Sequence, residues 1–196
     1  MKKICFTLDD VIRAKTKKVG ELYKKNYDPG FDLENLDVFT DELSKVFPFK
    51  TRDGYKKFVY TDYAFEIFGE GGVTSPLLDK NLNLWLIKIH NDEDLCDKFS
   101  FMLASPYEFN LTIGFTYFFL STIATRIREV YMPDHCLDIW DKCDVLVTAS
   151  PELLKNKPEG KIAVKINTPY NKDIPATFTY ESLQALLDDE EFLKGL

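Results

Sequence analysis

The sequence has no C-x-x-C pair. Its four cysteines, Cys5, Cys96, Cys136 and Cys143, are scattered, which argues against both a structural zinc site and a disulfide framework and leaves buried free thiols. Long apolar runs are missing too. The longest, residues 115–120, is interrupted by Thr116 and is far too short to cross a bilayer, and the first residues lack the apolar core of a signal peptide. The expectation is therefore an intracellular protein, cytoplasmic or part of an intracellularly assembled complex, with no membrane partner. Positive charge is in deficit: the net charge is −7 and the pI near 5.0. Outside Lys15-Thr16-Lys17-Lys18, which reads as a solvated helix face, no basic cluster stands out. A nucleic-acid partner is excluded on that ground. Gly69-Glu70-Gly71-Gly72 lacks the Lys-Ser/Thr that completes a phosphate-binding loop and follows no apolar strand, so it reads as a turn.

Aromatic and apolar residues are plentiful. The chain has 196 residues, 45% of them hydrophobic, with 16 Phe and 10 Tyr, enough for a globular core in one domain or in a core with an inserted cap. Ile4, Cys5 and Phe6 show no polar alternation, as expected of a strand covered on both faces, and the run ends at Asp9 and Asp10. In parallel α/β sheets the ends of such strands carry the sites. Further strands are expected at 99–103, 130–132, 143–147 and 161–166. Helical patterns cover 13–25, with Val19, Leu22 and Tyr23 on one side, then 33–46, 55–68, 77–94, 115–128 and 182–193.

The stretch Thr7-Leu8-Asp9-Asp10-Val11 resembles the opening motif of the haloacid dehalogenase superfamily, and within it the 5'(3')-deoxyribonucleotidase-like branch, where the order is Asp-x-Asp-x-Val/Thr. The resemblance implies a three-layer α/β fold, a Rossmann-like parallel sheet with an inserted, mostly helical cap. It assigns residues 1–13 and 98–196 to the core and 14–97 to the cap. In the family the first Asp attacks phosphorus and binds magnesium, and the second is the general acid and base. Here Thr7 stands in the first place and Asp9 in the second. A threonine hydroxyl offers no anionic oxygen to a hard cation and needs a base before it can attack.

The later motifs resemble the family in order and depart from it in chemistry. Ala104-Ser105-Pro106 follows the second strand where the branch has Thr-Ser-Pro, with the phosphate-contacting hydroxyl matched by Ser105 or lost at Ala104; Ser105 with Pro106 also suits a helix cap. His135 stands where the family has a lysine, and a histidine at a strand end is also a common structural residue. Thr148 and Ala149 occupy the places of the Asp-Asp pair that completes the magnesium site.

With carboxylates missing from the first and fourth strand ends, phosphoryl transfer loses its nucleophile and its metal together. The expectation is a catalytically inactive protein that uses this fold for binding or as a structural subunit of a larger assembly. It would have no catalytic residue, no cofactor and no metal, and a protein partner docking on the aromatic cap. The alternative is a residual phosphatase or nucleotide-binding protein in which magnesium is retained and Asp9, Ser105 and His135 act without the usual nucleophile.

Overall fold

In a computed structural model, which describes residues 1–33, 43–47, 49, 51–106 and 110–196, the first apolar stretch forms β1 (Lys2–Thr7). The expected strands follow as β2 (Phe99–Ala104), β3 (Glu129–Tyr131), β4 (Val145–Thr148) and β5 (Ile162–Ile166). A sixth, β6 (Phe178–Tyr180), was not anticipated. All pairings are parallel and the order is β3-β2-β1-β4-β5-β6. Thus β1 is interior, and only the three-residue β3 and β6 lie at the edges, where short strands limit unwanted pairing.

The two-residue period of each strand divides its side chains between two packing layers. Ile4 and Phe6 of β1, Val145 and Val147 of β4, and Val164 and Ile166 of β5 enter one cluster. Cys5, Leu146 and Ala163 from the same strands enter another, together with Ile139, Trp140, Leu153 and Leu154. With both faces covered, the sheet is the middle of three layers, a Rossmann-like α/β arrangement. β1 continues by register into β2 on one side and β4 on the other. The crevice beyond the C-terminal ends of β1 and β4 is therefore the topological switch point, the place where such sheets offer a site.

The layer facing Ile4 and Phe6 includes α4 (Leu78–His90), whose Leu78, Leu82, Leu86 and Ile89 recur at helical spacing and are buried against the sheet. Trp85 meets Phe6 edge-on at 6.3 Å. Phe119 and Ile123 of α5 (Asn110–Ile123) join the same core. By packing, α4 goes with the sheet.

A separate aromatic cluster is built from α1 (Lys15–Asn26), α3 (Arg52–Lys57) and two wide, π-type turns, Phe58–Asp62 and Phe65–Gly69. Tyr23 is its hub, with ring centroids of Phe31 at 4.9 Å, Phe49 at 5.1 Å and Phe47 at 5.8 Å. The continuous helix expected over 55–68 is broken into these wide turns. Of the helix expected over 33–46, α2 (Leu43–Val46) is present, and Leu36 and Phe39 lie outside the described residues. At the end of the chain the expected helix over 182–193 divides into α6 (Leu183–Leu187), capped by the Ser182 hydroxyl, and a last turn at Leu193–Gly195.

Candidate functional site

Past β1 the backbone closes a tight loop. Ile12 and Arg13 both donate their amides to the Leu8 carbonyl, and the Asp10 amide donates to Arg13 O at 2.7 Å. Asp10 takes φ of 59°, a left-handed conformation that Asp tolerates better than most residues. This loop turns Arg13 back over Asp9. The guanidinium donates from Nε at 3.0 Å and Nη2 at 2.5 Å to Asp9 Oδ1, from Nη1 to Phe68 O at 2.9 Å and Thr116 Oγ1 at 2.7 Å, and from Nη2 to Ser105 Oγ at 3.4 Å. It lies 4.8 Å from the Phe68 ring centroid and is fully buried. Lys15, at the first turn of α1, places its ammonium 2.6 Å from Asp9 Oδ2 and 4.8 Å from the Phe68 ring.

Both carboxylate oxygens of Asp9 are thus held by cations of the same chain. Burial alone would raise the Asp9 pKa, but the charges of Arg13 and Lys15 outweigh it and hold the carboxyl below its usual value. Burial would likewise lower Lys15, and the Asp9 charge reverses the direction and raises it. Asp10 differs: burial pushes it up, the Asp9 charge adds to this, and hydrogen bonds from Thr16 and Tyr170 only partly offset the rise. Tyr170 donates its hydroxyl to Asp10 Oδ2 at 2.5 Å, and the Thr16 amide donates to Oδ1 at 2.8 Å. Asp9 thus faces both cations, while Asp10 is held by hydroxyls and an amide.

At the switch point itself, the Thr7 hydroxyl donates to Thr148 Oγ1 at 3.1 Å, and Thr148 Oγ1 also accepts from the Ser150 amide. Thr7 and Thr148 are buried to 2% and 0% exposure. Ala149 is buried beside them, its carbonyl accepting from Asn171 Nδ2 at 2.9 Å. Ala104 is the last residue of β2, level with Thr7. Ser105 is the residue whose hydroxyl reaches Arg13, and so the one that joins the cluster. His135 does not join it. It is exposed, caps the turn Cys136–Asp141 by accepting from the Leu137 amide at 3.3 Å, and among the described residues shares no hydrogen bond or ion pair with Asp9.

The sequence reading missed the two residues that matter most to this geometry. Lys15 was expected on a solvated face and is 4% exposed, because its charge is matched by Asp9 and its ammonium lies over the rings of Tyr60 and Phe68. Arg13 went unremarked as the end of the first core segment. An arginine four residues after Asp9, in the otherwise apolar Val11-Ile12-Arg13-Ala14, was the signal available.

Magnesium, which the resemblance implies, takes oxygen ligands, chiefly carboxylates. The strand ends of β1 and β4 present hydroxyls bonded to each other, Asp9 is ion-paired at both oxygens, and no three His, Cys, Asp or Glu side chains converge among the described residues. This donor set does not fit the ion.

No protein-family model matches the chain, and no curated protein matches it by sequence. Solved structures do match. A provisionally assigned haloacid dehalogenase-like hydrolase from Bacteroides fragilis superposes with a TM-score of 0.57 at 11% identity, over 94% of this chain and 99% of that one. Another, from Burkholderia xenovorans LB400, gives 0.51 at 12% identity, over 96% and 98%. The chain therefore has a haloacid dehalogenase-like fold along nearly its whole length.

Proposed function

We propose that this chain is a haloacid dehalogenase-like protein without phosphoryl-transfer chemistry, serving as a binding protein or as a structural subunit of a larger assembly. One observation carries the proposal: Arg13 and Lys15 occupy both oxygens of Asp9, the one carboxylate that keeps a family motif position. Aspartyl-based phosphoryl transfer needs, beside its nucleophile, an acid-base carboxylate free to move a proton and a cation shared with substrate oxygens. Here the positive charge is built into the chain and spent on Asp9. The deoxyribonucleotidase-like reading would need Asp9, Ser105 and His135 to act together, and His135 sits apart on the surface.

We place the contact surface on α5. Cap aromatics such as Tyr23, Phe47, Tyr55 and Phe58 lie in their own buried cluster, with Tyr27 and Phe65 exposed. α5 turns Thr112 and Thr116 inward and Leu111, Tyr117 and Phe118 outward, at 65%, 54% and 46% exposure. A helix that buries hydroxyls and exposes large apolar groups supports a protein partner on this face.

The test is turnover of deoxynucleoside monophosphates and of an aryl phosphate in millimolar magnesium, with calorimetric titration of the metal. Release of phosphate is expected to equal that of buffer, and no heat of magnesium binding is expected. Turnover by the unaltered protein, abolished by Asp9→Asn, would overturn the proposal.

A further inference from the structure

The buried cluster around Asp9 spans the seam between the two packing units. Asp9 belongs to the β1 loop, Ser105 to the end of β2 and Thr116 to α5, all tied to the sheet. Phe68, whose carbonyl and ring both meet Arg13, belongs to the aromatic unit, as does Tyr60, whose ring centroid is 5.6 Å from the Lys15 ammonium. Where the aromatic unit returns to the sheet, the two connecting segments are zipped together: the Ala14 amide donates to Gly72 O at 3.0 Å, the Thr74 amide to Ile12 O at 2.8 Å, and Arg13 pairs antiparallel with Val73. Gly71 crosses so closely over Arg13 that an added Cβ would lie 3.0 Å from Arg13 Cγ and run into the Ile67 carbonyl.

We infer that Asp9, Arg13 and Lys15 form a latch that holds the aromatic unit shut against the sheet. Opening the seam would strip Arg13 of the Phe68 carbonyl and expose two cations and a carboxylate that are now matched in a low-dielectric site. Water could solvate them, but only after the apolar contacts of Phe68 and Phe119 with the guanidinium were lost as well. The two connecting segments cannot act as free hinges while their backbone hydrogen bonds are made. The aromatic unit therefore opens together with the sheet and not ahead of it. This holds whether or not the chain turns over a substrate, so it stands or falls apart from the functional proposal.

Hydrogen exchange on the full chain, followed by mass spectrometry, reads this directly. In the unaltered protein, amides in 58–74 are expected to exchange within about threefold of those in β1 and β4 once intrinsic rates are removed. In Lys15→Met the two sets should separate, with 58–74 faster than the sheet by about tenfold or more, and Lys15→Arg should bring them back together. The latch is disproved if 58–74 already exchanges about tenfold faster than the sheet in the unaltered protein, or if Lys15→Met leaves the two rates together. If Lys15→Met does not fold, the unaltered protein alone decides the matter.

Discussion

Asp9 and Asp10 are neighbours in sequence with opposite electrostatic fates, and the difference lies in what faces each one. Asp9 receives two full charges, while Asp10 receives hydroxyls and an amide and feels the Asp9 charge at close range. Linkage turns this into a pH dependence. Asp9, with its folded pKa depressed, contributes stability above the unfolded value of about 3.9 and loses it as pH falls through the lower folded value. Asp10, with its folded pKa raised, works in the other direction: its penalty at neutral pH is relieved as pH falls through the folded value. Thermal denaturation from pH 7 downward is therefore expected to show Tm held or rising first and falling steeply only below the ordinary carboxylate range. Asp10→Asn should flatten the first part. Asp9→Asn should remove part of the second and lower stability at pH 7 by about 3–5 kcal/mol, because it strands two buried cations. A Tm profile for Asp9→Asn parallel to that of the unaltered protein would contradict this assignment.

At the scale of elements, the strands were legible because a parallel sheet covered on both faces demands unbroken apolar runs, and 101–104, 145–147 and 162–164 have them. β6 was not, since Phe178, Thr179 and Tyr180 are too short a stretch for any period to show. The wide turns at Phe58–Asp62 and Phe65–Gly69 keep a roughly helical spacing of aromatics, which is why they read as one helix. The glycine segment shows how a turn can be under packing control. Gly71 lies against Arg13 and the Ile67 carbonyl, whereas Gly114 in α5 has nothing within 4 Å of an added Cβ. Gly71→Ala should cost about 1–3 kcal/mol through forced shifts. Gly114→Ala should stabilise by up to about 1 kcal/mol, since alanine loses less backbone freedom in a helix. Urea denaturation of the two variants checks the contrast, and equal midpoints would show that the crossing over Arg13 is not tight.

For the whole molecule, the parallel sheet could be read from its apolar runs, and the places of Thr7, Thr148 and Ala149 at the ends of β1 and β4 follow from it. The pairing of Asp9 could not, since Arg13 and Lys15 meet it only after the chain has folded back past Phe68 and Thr116. This sets the terms for building a metal site. Thr7→Asp alone would bury a carboxylate beside the Thr148 hydroxyl and the Asp9 charge, with its pKa raised and no second anionic ligand. Thr7→Asp with Thr148→Asp would bring two carboxylates together where hydroxyl oxygens now lie 3.1 Å apart, and such a pair is relieved by a divalent cation or by a shared proton. Magnesium is therefore expected to raise the Tm of the double variant and to leave that of the unaltered protein unchanged. Turnover should still be absent in both, because Asp9 remains bound by its two internal cations and is not free to move a proton. His135→Lys should not help, since residue 135 lies on the surface and away from the cluster. Thermal denaturation with and without magnesium, run beside a phosphate-release assay, separates the two effects. Phosphate release by the double variant would show that metal was all the site lacked, and that Arg13 and Lys15 do not silence Asp9.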